Sequence, residues 1–293
     1  MTYIERLRPD PIPAIHPLPE YLASGQRAAW YEDTRRILQV PWMGVVTMAY
    51  SHYPNFFGEL WRGLKPLCES RAFVEAFLEL REFVEAETAQ LQPKPLVQAL
   101  TDLGYAPREI DNIREMNTVF SHGNQPYVII AAIVRHLLEV GDMGDETAAE
   151  PYAERHAPDV QVPFLLMEAH HADEPTRVVY EDVKQCLKLP FVNTDYRAFA
   201  RWPSYFALSW NDLRESVVTE AHEAVCQACH DRVARLAAEE LPNPGGLSAD
   251  KLRRAAEADA SLEEVINMCR LFQWLLPGLI TNVAFLRHQL EAV

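Results

Sequence analysis

The sequence contains two copies of one pattern, separated by about half of its length. Residues 31–64 align with residues 180–213 at a constant offset of 149 positions, without a gap. A second stretch, residues 113–139, aligns with residues 265–291 at an offset of 152. Repetition at half the chain length indicates two copies of one structural unit, packed as an internal pseudo-dimer with pseudo-two-fold symmetry. Positions where the copies disagree are therefore the first places to look for function.

The pattern within each copy is helical. Apolar residues recur at spacings of three and four, as in Leu60, Leu64 and Leu67, which places them on one face of a helix. No convincing alternation of apolar and polar residues is found, so the sequence predicts an all-α protein made of two helical repeats. The identical pairs in the longer alignment include Tyr31/Tyr180, Leu38/Leu187, Pro41/Pro190, Ala49/Ala198, Pro54/Pro203, Phe57/Phe206, Trp61/Trp210 and Leu64/Leu213.

Proline and glycine divide the chain into four parts. These are a proline-rich arm (residues 1–26), the first helical repeat (27–140), a linker (141–177) and the second helical repeat (178–293). Within the first repeat, Gly123 and Pro126 are expected to end one helix near Phe120 and to open the next at Tyr127.

Bulk composition argues against several kinds of partner. A net charge of −15 argues against nucleic acid and anionic membranes, because both bind basic surfaces. The longest apolar stretch, residues 271–286, contains Pro277 and polar residues, and it fits a buried helix better than a bilayer span of about 20 residues. Five cysteines without a visible export signal indicate reduced thiols and a cytoplasmic protein. Whether the chain forms a homodimer is left open.

The most informative disagreement between the copies is Asp195, which aligns with Val46. If Val46 faces the core, Asp195 should also be buried, where a carboxylate loses hydration and its pKa tends to rise. Such a group is a candidate general base. The alternative is an exposed aspartate that caps the next helix, and spacing alone does not separate the two.

A second disagreement is Asn124, which aligns with Leu276. An amide has both donor and acceptor capacity, so it is able to hold a polar ligand. Asn after Gly is also a common turn residue, which is the alternative, and nearby His122 allows the same two interpretations. Because one copy contributes Asn124 and the other Asp195, we expect a single site at the interface of the repeats.

A competing motif is Cys226-Gln-Ala-Cys229-His230. CxxCH is the spacing for covalent haem attachment, which requires export, and CxxC on a helix also fits a redox dithiol. The two cysteines nevertheless follow an apolar helical pattern, and their counterparts in the first copy are Phe77 and Leu80. That correspondence favours a packing role.

No metal or cofactor is expected. The adjacent pair His170-His171 lies in an acidic linker and has poor geometry for metal ligation. The sequence also lacks a phosphate-binding glycine loop, a GxSxG elbow and an HExxH motif.

Several motifs together resemble a known family. They are Val40-Pro41-Trp42, Gly104-Tyr105, Glu109-Ile110, Ile113-Arg114, Gly123-Asn124-Gln125-Pro126-Tyr127, and Asp195 with Phe199 and Trp202-Pro203. With these residues the chain, over roughly residues 30–291, resembles the group I 2-haloacid dehalogenases, which act on both enantiomers of 2-halocarboxylic acids and invert configuration. The resemblance implies an all-helical fold with an internal repeat and a site between the halves.

The resemblance also implies roles for individual residues. Asp195 would activate a water that attacks the halogen-bearing carbon directly, without an enzyme ester, and Asn124 would help to hold that water. The partners would be a small D- or L-2-haloacid and water, with no metal or organic cofactor. The implied substrate-binding residues are Trp42, Gly44, Val45, Tyr127, Asn193, Thr194, Phe272, Leu275, Leu276 and Leu279. Departures from the family pattern at Val45, Asn193, Thr194 and Phe272 leave substrate size and enantiomer open.

Two other classes of function remain as alternatives. One is a helical redox protein, similar to alkylhydroperoxidases, that works through Cys226 and Cys229. The other is a helical interaction module without catalysis, for which fold similarity alone is no counter-argument.

Overall fold

The computed structural model describes residues 4–144 and 147–291. Over these ranges the regular structure is helical, and the single β-type pairing described is an isolated bridge between Ser70 and Pro151, so the all-α prediction is confirmed. The α-helices are α1 (Gly25–Leu38), α2 (Val45–Tyr50), α3 (Pro54–Cys68), α4 (Arg71–Ala89), α5 (Val97–Asp102), α6 (Pro107–Glu139), α7 (Glu174–Leu187), α8 (Thr194–Phe199), α9 (Pro203–Val217), α10 (Glu220–Arg235), α11 (Ala249–Glu257) and α12 (Leu262–His288). A 3₁₀ turn, Glu20–Leu22, lies in the N-terminal arm, and a π-helical turn, Leu236–Glu240, follows α10.

The chain divides into two compact units, each built from three stretches. The first unit comprises Met1–Arg81, Gly123–Ala157 and Gln227–Pro277, and the second comprises Glu82–His122, Pro158–Cys226 and Gly278–Val293. Each unit therefore takes segments from both halves of the sequence. Boundaries between the units fall inside α4, α6, α10 and α12.

In the first unit, α1, α2 and α11 pack against α3. The indole Nε1 of Trp61 donates to Asp33 Oδ2 at 3.0 Å, which ties α3 to α1. The loop before α11 comes so close to α3 that a Cβ on Gly245 would lie 1.9 Å from the carbonyl oxygen of Gly63. Only glycine fits there, so the contact fixes how α11 approaches α3.

In the second unit, α7 and α8 pack against α9. Asp173 caps α7 by accepting from the backbone N–H of Thr176 at 2.9 Å. Trp210 Nε1 donates to Asp182 Oδ2 at 2.7 Å, which ties α9 to α7. The short helix α8 is thereby supported by a frame of longer helices.

The predicted break at residues 121–126 is wrong, because α6 continues through Pro126. A proline in a helix removes one backbone hydrogen bond and crowds the preceding turn, which costs about 3 kcal/mol. Every residue from 121 to 135 is buried, so ending the helix here would leave backbone groups without partners inside the protein. Tertiary packing therefore overrides the local signal of Gly123 and Pro126.

The apolar stretch 271–286 lies within α12, as predicted. By length and composition α12 is the one described helix able to cross a membrane, but 83% of its apolar window is buried inside the protein. Burial within the protein is the arrangement of a core helix.

Candidate active site

Helix α8 carries the candidate base. Asn193 occupies the N-cap position with an extended backbone, and Asp195 follows within the first turn. Asp195 is 2% exposed and its counterpart Val46 is 3% exposed, so the alignment predicted its burial correctly. Of the two interpretations that spacing left open, the structure therefore supports the buried carboxylate and contradicts the exposed capping aspartate. A carboxylate in this place has lost most of its water, which is the environment of a group kept for chemistry.

The residue after the candidate base is a buried tyrosine. The pKa of Tyr196 is raised, chiefly by burial, while a hydrogen bond from Asn282 lowers it and the nearby negative charge of Asp195 raises it. The hydroxyl of Tyr196 therefore stays neutral at physiological pH and keeps its proton.

Asn193 and Thr194, the two residues before Asp195, are buried as well, at 7% exposure each. Arg197 Nη2 donates to Thr194 Oγ1 at 3.3 Å, and Arg197 Nη1 donates to Glu168 Oε1 at 2.7 Å. The side-chain oxygen of Asn193 is buried and has no hydrogen-bond partner in the protein. A buried amide oxygen left open in this way is suited to a ligand or a bound water.

Asn124 lies in the interior of α6 and is 5% exposed. It is therefore not a turn residue, and neither is His122, which is 2% exposed. Asn124 belongs to the first compact unit and Asp195 to the second.

Tyr127, one turn after Asn124 on α6, forms an aromatic pair with Trp42 in the first unit. The Tyr127 hydroxyl donates to the carbonyl oxygen of Trp42 at 2.9 Å, and their ring centroids are 6.2 Å apart. A Cβ on Gly44 would lie 2.9 Å from the Tyr127 ring, and a Cβ on Gly123 would lie 2.5 Å from the Trp42 ring. Gly123 thus lets the Trp42 ring approach α6, and Gly44 lets the backbone before α2 approach the Tyr127 ring. The sequence reading of Gly123 as a helix stop missed this role.

Known proteins resemble this chain over most of its length. A protein named (R)-2-haloacid dehalogenase from Rhizobium sp. (strain NHG3) is 43% identical over 255 residues, covering 87% of this chain and 98% of the relative. Another of that name from Pseudomonas putida is 34% identical over 285 residues, covering 94% and 92%. This chain belongs to the 2-haloacid dehalogenase family. No protein-family model matches it.

Solved structures agree with this assignment. A D-2-haloacid dehalogenase mutant in complex with D-2-CPA has a TM-score of 0.87 and 31% identity, covering 99% of each chain. A D-2-haloacid dehalogenase with L-LA has a TM-score of 0.84 and 30% identity, covering 99% of this chain and 100% of the other. The resemblance predicted from sequence is confirmed, and the chain is a dehalogenase.

The apolar wall predicted for the dehalogenase lies on α12. Phe272, Leu275 and Leu276 are buried in the first unit, while Leu279 is buried in the second. Phe272 packs edge-on against Tyr50, with ring centroids 6.0 Å apart. Sequence reasoning missed Tyr50, although its alignment with Phe199 is itself a polar-to-apolar difference between the copies. Val45, by contrast, is only half-buried.

The CxxC cysteines of the dehalogenase are buried on α10 and are not joined by a disulfide. Cys226 Sγ lies 3.5 Å from His222 Nδ1, a histidine that the motif search did not select. Among residues 4–144 and 147–291, no group of three or more His, Cys, Asp or Glu side chains is arranged to hold a metal ion.

Proposed function

We propose that this dehalogenase hydrolyses small 2-haloacids to 2-hydroxyacids of inverted configuration, with Asp195 as general base and Asn124 holding the water. The water oxygen bonds to C2 while the carbon–halogen bond breaks, and the halide leaves with the bonding electron pair. Asp195 takes the proton of the water and later releases it to solvent. A water held opposite the leaving group avoids much of the entropic barrier to such an in-line attack.

The observation that carries this proposal is the burial of Asp195, at 2% exposure, where the matching helix has Val46. An apolar side chain is able to fill this place, so packing alone gives no reason for a carboxylate. In a member of a family that hydrolyses carbon–halogen bonds, activation of water supplies that reason.

We infer a preference for the (R) enantiomer. The relatives that are 43% and 34% identical are both named (R)-2-haloacid dehalogenase. The two solved structures are of D-2-haloacid dehalogenases.

Inversion of configuration is supported by another relative. It is named a configuration-inverting 2-haloacid dehalogenase, comes from Alcaligenes xylosoxydans xylosoxydans, and is 25% identical over 247 residues.

We further propose that the substrate lies against the aromatic and apolar residues named above. Trp42, Tyr127 and the leucines of α12 supply the apolar surface that a haloalkyl group requires. Asn193 and Thr194 supply polar atoms beside the base. The full proposed set is Trp42, Gly44, Val45, Tyr127, Asn193, Thr194, Phe272, Leu275, Leu276 and Leu279.

An internal pseudo-dimer, as the sequence predicts, is also proposed. Several contacts recur at the alignment offsets. The Trp61–Asp33 bond corresponds to the Trp210–Asp182 bond. The Tyr31 hydroxyl donates to the carbonyl oxygen of Leu18, and that of Tyr180 donates to Met167 in the same way. Helices α1 and α7 both span 14 residues, and α2 and α8 both span 6. These equivalences support two copies of one structural unit.

The deciding experiment measures halide release from (R)- and (S)-2-chloropropionate and from monochloroacetate. Asp195→Asn should lower kcat by at least about a hundredfold while the thermal midpoint stays within a few degrees. Asp173→Asn is the matched control, because it makes the same change at an exposed helix cap where asparagine functions equally well.

Chiral analysis of the product adds a second criterion. The proposal requires (S)-lactate from (R)-2-chloropropionate. Retention of configuration would contradict direct water attack, and full activity of Asp195→Asn would remove Asp195 from its role.

We also propose that the enzyme works in the cytoplasm without nucleic-acid or membrane partners. The five cysteines are free thiols, and the net charge is −15. Light scattering at several concentrations would decide between a monomer and a homodimer.

A further inference from the structure

A chain of buried polar side chains leads to Tyr196, the neighbour of the candidate base. Asn282 Nδ2 on α12 donates to the Tyr196 hydroxyl at 2.9 Å. Asn282 Oδ1 is 2.7 Å from His222 Nε2, and His222 Nδ1 is 3.5 Å from Cys226 Sγ. All four residues belong to the second compact unit. We call Tyr196, Asn282, His222 and Cys226 the α8 network.

The bonds of the α8 network define the proton positions on its histidine. Because Asn282 donates through Nδ2, its Oδ1 is the atom that faces His222, and Nε2 of the ring must carry a hydrogen. In a neutral ring Nδ1 is then the acceptor, and the Cys226 thiol donates to it. Each bond then donates in one direction, from Cys226 through His222 and Asn282 to Tyr196.

Three members of the α8 network are polar only in this copy of the repeat. The positions aligned with His222, Cys226 and Asn282 are Phe73, Phe77 and Ile130. Phe73 and Phe77 pack edge-to-face with centroids 5.9 Å apart, and all three are buried. An apolar solution to the same packing problem therefore exists within the same chain. The polar side chains are bonded to α8, the helix that carries Asp195. Their apolar counterparts belong to the copy that carries Val46.

The six-residue helix α8 needs outside support. A helix of this length is unstable by itself, because few of its backbone groups are paired along the helix. The bond from Asn282 holds the third residue of α8, directly after Asp195. The members of the network are at most 5% exposed. None of them is among the residues proposed above to touch the substrate or the water.

We propose that His222 and Asn282 are positioning residues for the dehalogenation reaction, which fix α8 so that Asp195 is aimed at the attacking water. The inference rests on the proposed role of Asp195. Small displacements matter here, since a shift of about 1 Å in a reacting group is able to cost about a hundredfold in rate.

Two substitutions of one residue test this. Glutamine places an amide where Nε2 of histidine lies and is able to bond Asn282, whereas asparagine reaches only as far as Nδ1. His222→Asn should lower kcat by about tenfold or more while KM changes by less than about twofold, and His222→Gln should restore most of kcat. Because glutamine also fills more volume than asparagine, His222→Leu is the packing control: a role in packing alone would let His222→Leu keep as much kcat as His222→Gln.

Amide hydrogen exchange gives a readout that does not depend on activity. The amides of residues 194–200 should exchange faster in His222→Asn than in wild type and return toward the wild-type rate in His222→Gln. Unchanged exchange in both variants would overturn the inference. Faster exchange with normal kcat would overturn it as well, because α8 would then be loosened without consequence for the reaction.

The controls separate this inference from the proposed function. If wild type releases halide and Asp195→Asn does not, the base stands whatever His222 does. If wild type releases none, the proposed function fails and the positioning role fails with it. Cys226→Ala removes a weak, long bond and should lower kcat by less than about twofold.

Discussion

The segments α1–α3 and α7–α9 are built alike, and one buried position at which they differ bears directly on the proposed chemistry. Both tie their first and third helices with a tryptophan–aspartate bond, Trp61 to Asp33 and Trp210 to Asp182. Both place a six-residue helix between them. In α2 the second residue is Val46, and in α8 it is Asp195. Contacts that hold the helices together recur, while this buried position, where chemistry is proposed, is apolar in one copy and charged in the other.

The difference extends one layer further. Hydrogen bonds connect α8 to Asn282, His222 and Cys226. The matched positions of the other copy hold Phe73, Phe77 and Ile130. Buried polar groups stabilise a fold no better than well-packed apolar ones unless all of them are paired. At these three positions the protein therefore has buried polar groups only in the copy that carries Asp195.

Exchanging the two distinguishing residues should give the largest effects. Asp195→Val should reduce kcat by about 10²–10⁴-fold and leave the free energy of unfolding unchanged or higher. Val46→Asp should lower the free energy of unfolding by about 3 kcal/mol, because a carboxylate is buried among apolar neighbours. Urea unfolding and halide release measured on both variants check this. Equal destabilisation by the two changes would break the comparison.

The N-cap residues of the two short helices offer a sharper test. Gly44 and Asn193 occupy matched positions. Gly44→Ala should raise KM several-fold, since its methyl group would push against the Tyr127 ring at 2.9 Å. Asn193→Ala should widen the site and improve the relative kcat/KM for 2-chlorobutyrate over 2-chloropropionate. Steady-state kinetics with both substrates would reveal it, and an unaltered ratio would take Asn193 out of the substrate site.

The smallest effect concerns the repeated aspartates. Burial raises the pKa of Asp33, but hydrogen bonds from Lys65, Arg36 and Trp61 outweigh it, and the net shift is downward from 3.8. A carboxylate with a depressed folded pKa stabilises the protein above pH 3.8 and loses that contribution as pH falls through its folded pKa.

Asp33→Asn should therefore cost about 1–2 kcal/mol at pH 7 and flatten the acid side of the stability curve. Asp182→Asn, which removes the matching bond to Trp210, is the companion variant. Thermal unfolding between pH 3 and 7 would measure both. A parallel downward offset at every pH in Asp33→Asn would show that the charge of Asp33 contributes nothing.

Sequence reasoning succeeded where the repeat supplied an internal reference. The alignment of Asp195 with Val46 predicted a buried carboxylate, and helical spacing predicted the all-α fold. It failed at Gly123 and Pro126, because these residues are local signals for a helix end. The burial of residues 121–135, which keeps the helix continuous, has no equally clear signal in the sequence. The role of Gly123 depends on the position of Trp42, which is 81 residues away in the sequence and close only after folding.

The α8 network was also beyond the sequence search, although a signal existed. His222, Cys226 and Asn282 each replace an apolar residue of the other copy, as Asp195 and Asn124 do. Comparing the copies position by position along α10 and α12 would have found all three. The alignment does not predict that consecutive hydrogen bonds join these residues, because the bonds depend on how the helices pack.

The division of both compact units into three stretches bears on how the chain folds during synthesis. The first unit is incomplete until Pro277 has left the ribosome, and the second waits for the last residues of α12. Neither half of the sequence is therefore able to complete a unit by itself, so part of the apolar surface stays exposed to chaperones and to neighbouring chains until α12 has been synthesised. Overexpression at lower temperature, which slows elongation and aggregation alike, is the condition under which such a chain should be recovered in good yield.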